Sequence, residues 1–138
     1  MKTPHCLALL AALASFPAIA QQASCPPLPA GSGLQWQRTA GDGFIVCRAM
    51  VGDRQLLGMM LTSKPTISPR RSDRREEGYI GAHPVHWHQP EIADGSGTWK
   101  RVTVVELGRR HYAQVWIDAG SEQELQRLVA LAQGIALE

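Results

Sequence analysis

Nowhere does this 138-residue sequence approach the roughly 20 consecutive apolar residues that a membrane-spanning helix requires. Charge of one sign is also missing, since 14 Lys and Arg face 12 Asp and Glu for a formal net charge of +2. A dedicated nucleic-acid binder would carry a clear basic excess, so nucleic acid is not the expected partner. The marks of common catalytic machinery are absent as well. There is no GxSxG elbow, no HExxH and no CxxC, and the carboxylates are scattered rather than paired. The expectation is a chain that is not an enzyme. What is present is ordinary: 44% hydrophobic and 19% charged residues, which excludes a disordered tail or a collagen-like chain. A chain this long is normally one domain.

The N-terminus carries the clearest signal. Lys2 and His5 give a short basic start, and Leu7 to Ala14 form an apolar run. Pro17 precedes Ala18-Ile19-Ala20, whose first and third small residues suit signal peptidase. Residues 1–20 therefore read as a signal peptide cleaved between Ala20 and Gln21, which predicts a periplasmic or secreted protein. A lipid anchor on Cys25 fits poorly, because Gln22 stands where that cleavage site wants a large apolar residue. The mature chain divides into a Pro/Gly-rich arm, 21–33, and a single globular domain, 34–138. Taking Lys2 from the 14 basic residues leaves 13 against 12 acidic ones.

Cys6 leaves with the leader, so Cys25 and Cys47 remain as an even pair bound for an oxidising compartment. A disulfide between them would staple the arm to the first long strand. Closing a loop of about 22 residues is worth roughly 3 kcal/mol in the chain-entropy picture.

Strand signals dominate the rest. Residues 44–51 and 54–61 flank Gly52-Asp53, a two-residue connection suited to a type II′ hairpin. Residues 99–107 and 110–118 flank Gly108-Arg109. That register puts Val102 and Val104 on an apolar face with Val115 and Ala113, and His111 on that face beside Glu106. It leaves Arg101, Thr103, Val105, Tyr112, Gln114 and Trp116 on the opposite face. Arg101 would then lie across from Trp116, close enough for a cation–π contact. Ser121 and Glu124 form a capping box, and Leu125, Leu128, Val129, Ala132 and Ile135 follow at helical spacing. Together these predict an α+β fold: an antiparallel sheet of about five strands packed by a C-terminal helix.

Three segments are candidates for function. His83-Pro84-Val85-His86-Trp87-His88 places His86 and His88 on one face of an extended chain, as a zinc or copper site would need, with His83 pointing away. Ser63–Glu77 reads as a long loop carrying Arg70, Arg71, Arg74 and Arg75, fork-shaped donors for carboxylates on an acidic partner. Glu91–Thr98 resembles no calcium or phosphate loop and reads as a long hairpin connection.

Gly81-x-x-Pro84-x-x-Trp87 on a strand, then a long hairpin and a Ser-capped final helix, resembles the PsbP-like α+β domains over residues 34–136. The resemblance implies an exported or adaptor role without catalysis. The chain departs from that pattern in lacking a helix before its first strand and in having the disulfide arm, and no functional residue carries over. The leading expectation is a cell-envelope binding protein, of the inhibitor or immunity type, that contacts a protein partner. Its contacts would come from Arg70, Arg71, Arg74 and Arg75, with Trp99, Arg101 and Trp116. The alternative is a periplasmic protein holding Zn or Cu through His86 and His88; in the leading reading no cofactor is needed.

Overall fold

The computed structural model describes residues 24–138. The expected leader and its cleavage site lie outside the described residues. Seven strands form one antiparallel sheet: β1 (Gln35–Gly41), β2 (Phe44–Val51), β3 (Arg54–Thr62), β4 (Arg74–Ile80), β5 (His83–His88), β6 (Lys100–Gly108) and β7 (His111–Asp118). Their spatial order is β1-β2-β3-β7-β6-β5-β4. One short helix, α1 (Glu122–Ala132), follows. The expected α+β domain with about five strands is thereby corrected: the fold is mostly sheet, two meanders joined where β3 pairs with β7. The two unforeseen strands, β1 and β4, are the sheet's edges, where few side chains are buried and the apolar alternation is weak.

Local chemistry explains the hairpins. Val51 pairs with Arg54 around Gly52-Asp53, and Gly52 takes the positive φ of 56° that a type II′ turn demands. Ile45, Cys47 and Ala49 of β2 then point inward with Leu57 and Met59 of β3 and with Ala113, Val115 and Ile117 of β7. Leu125, Leu128 and Ala132 of α1 cover this face, and Ile135 and Leu137 extend the cover beyond the helix. Ser121 caps α1 by accepting from Glu124 N at 3.1 Å, while the Glu124 carboxylate accepts from Gly120 N and pairs with Arg54.

The Pro-rich arm completes the cover. Cys25 is bonded to Cys47, Trp36 Nε1 donates to Pro26 O at 2.6 Å, and Pro29 packs on Gly134. The disulfide fits an oxidising, exported setting. No helix among the described residues is long and apolar enough to cross a membrane.

The opposite face is not left to solvent either. The connection from β3 to β4 runs diagonally across it, and Thr66 donates to Gln114 Oε1 of β7 from both N and Oγ1, at 3.0 and 3.1 Å. Val102, Val104, Tyr112 and Trp116 on this face are half-buried.

The register of β6 against β7 also corrects the sequence expectation. Arg101 pairs with Ile117, Thr103 with Val115 and Val105 with Ala113, and the connection closes with Gly108 opposite His111. A one-residue difference in register exchanges every side chain of a strand between faces. Arg101, Thr103 and Val105 therefore point into the core, and Trp116 lies opposite Val102, not Arg101.

Candidate functional site

The segment expected to be a long loop is ordered by its own residues. A single 3₁₀ turn, Arg71–Asp73, follows the diagonal connection, and β4 begins at Arg74. Asp73 N donates to Arg70 O, and Gln89 N donates to Asp73 O at 2.8 Å, which ties the turn to the chain leaving β5. Arg71 thus stands on a 3₁₀ turn, Arg74 and Arg75 on an edge strand, and Arg70 just before the turn.

Their side chains differ in engagement. Arg70 is satisfied by carboxylates, through Nη2 to Glu91 Oε2 at 2.7 Å and Nε to Asp73 Oδ2 at 3.1 Å. Arg75 donates only to neutral acceptors, Gln89 Oε1 and Arg74 O. Arg71 and Arg74 are exposed and carry no ion pair among the described residues. At this corner of the sheet the guanidinium groups of Arg71, Arg74 and Arg75 form no ion pair among the described residues.

Of the other expected contact residues, Arg101 is taken up by the interior and Trp99 and Trp116 are partly exposed. Arg101 is buried: its Nε and Nη2 form a fork on Glu76 at 2.6 and 2.9 Å, and Nη1 donates to Thr98 O and Lys100 O. This pair links β6 to β4 across β5. Burial works against the Glu76 carboxylate, but the hydrogen bonds from Arg101 and the backbone, with the charges of Arg101 and Arg75, outweigh it and hold the group below its ordinary pKa. Trp99 is half-buried against the core. Trp116 lies flat over Gly58, where a Cβ would collide with its ring. Glu76, missed in the sequence, is signalled there only by the alternation Arg74-Arg75-Glu76-Glu77.

The histidines are separated in the same way. His86 and His88 share the face of β5 opposite Val85 and Trp87. His86 Nδ1 lies 3.7 Å from Glu77 Oε1, near the surface. His88 is buried opposite Arg74, and its Nδ1 finds no partner. Burial, with the charge of Arg74 adding to it, pushes the His88 imidazole below its ordinary pKa. His83 Nε2 instead sits 3.1 Å from Leu137 O. Among the described residues no group of three or more His, Cys, Asp or Glu could hold a metal ion. His111 is exposed beside the β6–β7 connection and does not face Glu106, whose strand partner is Tyr112.

No protein-family model matches the chain, and neither the curated proteins nor the solved structures give a match.

Proposed function

We propose that this chain is an exported, non-catalytic binding protein of the bacterial cell envelope that docks an acidic surface of a protein partner. An inhibitor or immunity role against a periplasmic toxin or cell-wall enzyme is the form that suits it best. The observation that carries this reading is the corner built by Arg71, Arg74 and Arg75. These guanidiniums form no ion pair among the described residues, and a 3₁₀ turn and a strand fix the backbone that carries them. Such groups can make bidentate contact with Asp or Glu side chains. The disulfide, which fits an oxidising compartment, supports the exported setting.

The test is capture from envelope extracts with the native chain and with an Arg71→Glu/Arg74→Glu variant, followed by calorimetry on the captured partner. Reversing exposed interface charges should weaken binding by about tenfold or more at low salt, with the circular dichroism spectrum unchanged. Equal affinity of the two chains would remove this corner from the interface.

A further inference from the structure

At the corner of the sheet diagonally opposite the arginine edge, the β1–β2 turn, the end of β3 and the β6–β7 connection surround an open cleft of about 530 Å³. Its walls include the apolar side chains of Phe44, Ile45 and Leu61, and Arg38, Arg110 and His111 line it as well. No Asp or Glu lines it. The cleft adjoins a second hollow between the N-terminal arm and the C-terminal segment, and the two share Leu61 and His111.

A second observation points to the same place. Arg110 has a φ of +54°, the one positive value at a non-glycine position among the described residues. A hairpin connection that needs such a conformation ordinarily uses Gly or Asn. Here a glycine stands two residues earlier, at Gly108, where φ is not positive. The left-handed conformation costs a residue with a Cβ on the order of 1 kcal/mol. No internal contact offsets that cost, because Arg110 makes no ion pair or side-chain hydrogen bond among the described residues. The turn needs the left-handed conformation but not an arginine; a cationic side chain kept there without an internal partner, at the rim of this cleft, is suited to a ligand. Phe44 at the same cleft remains 38% exposed, which leaves its ring open to a ligand.

We infer that the cleft binds an anionic amphiphile, its carboxylate or phosphate head held by Arg110 and His111 and its apolar tail laid against Phe44, Ile45 and Leu61. A guanidinium fork grips either head group in bidentate fashion. The volume lies within the roughly 300–1,000 Å³ usual for small-molecule sites. The site is independent of the arginine edge and holds whether or not that edge docks a protein.

The test is calorimetric titration of the disulfide-bonded chain with decanoate, decyl phosphate, decanol and inorganic phosphate. One or both anionic amphiphiles should saturate at one per chain, at least tenfold more tightly than decanol or inorganic phosphate, and the tighter one identifies the head group. Arg110→Gly should weaken that binding about tenfold while the melting temperature stays level or rises. Phe44→Ser should weaken binding of the same amphiphile without weakening binding of inorganic phosphate. The inference is overturned if decanol binds as well as the anions, if neither anion saturates, if Arg110→Gly binds as tightly as the native chain, or if that variant melts lower.

Discussion

Cutting the Arg101–Glu76 fork from its two ends should cause unequal losses of stability. The Arg101 side chain is 5% exposed and that of Glu76 37%. Glu76→Ala leaves a guanidinium in the core with Nη1 still satisfied by Thr98 O and Lys100 O, but with Nε and Nη2 lacking acceptors. Removing one partner of a fully buried pair costs about 3–5 kcal/mol. Two carbonyl acceptors survive here and water can enter where the carboxylate stood, so the loss is about 2 kcal/mol, below that range. Arg101→Met keeps most of the apolar stem, removes the charge and leaves Glu76 beside water, at a cost of about 1 kcal/mol. The double variant strands no charge and should lie near Arg101→Met alone, so the two losses do not add. Urea unfolding with the disulfide intact measures all three, provided the slope is unchanged. If both single losses stay well under 1 kcal/mol, Arg101 faces solvent as a surface pair would. If Arg101→Met is the costlier change, the account of a stranded cation is refuted.

Acid should destabilise the fold in two stages. His88 has a lowered pKa in the folded state, so its contribution is complete above the ordinary imidazole value of 6.5 and is lost as pH falls toward the lowered one, because the unfolded chain takes the proton first. Glu76 is lowered as well, so its contribution is complete above the ordinary 4.5 and is lost at still lower pH. Melting temperature followed against pH should lose its upper stage in His88→Gln, and an unchanged profile would show that His88 is not the group responsible. Gly58→Ala should destabilise by about 1–3 kcal/mol, because the new methyl group and the Trp116 ring compete for one space. In a Trp116→Ala background the same Gly58→Ala change should lower the melting temperature less than it does in the native chain, and an equal drop would remove Trp116 as the cause.

What could be read from the sequence is what short-range chemistry decides. The Gly52-Asp53 turn, the inward set Ile45, Cys47 and Ala49, the Ser121 cap and the helical stripe each depend on residues within a few positions of one another. The Cys25–Cys47 pairing followed from parity once a leader was assumed. The edges were hidden for a physical reason. β1 (QWQRTAG) and β4 (RREEGYI) each have one flank without a partner strand, so their side chains are mostly polar and exposed and mimic loop composition. The four arginines therefore read as part of a long loop, although a 3₁₀ turn and an edge strand carry three of them and Arg70 caps the turn.

The β6 register failed for a reason that no local pattern contains. Judged by apolarity alone, Val102 and Val104 belong inside and Arg101 and Thr103 outside. Two long-range facts reverse this order. The connection running from β3 to β4 crosses the outer face and is bonded to Gln114, so Val102 and Val104 are half-buried there and lose little by pointing outward. The inner positions carry polar partners distant in sequence: Glu76 for Arg101, and His86 O for Thr103 Oγ1 at 3.0 Å. A buried cation is tolerated only where such acceptors already stand. Glu76 is in place only because β4 forms an edge strand with that residue turned inward. The sequence features hardest to read, a charged edge strand and a diagonal connection, thus decide which face of β6 is the core. They also fix which arginines remain for a partner: Arg101 is spent on the interior, and Arg71, Arg74 and Arg75 are not.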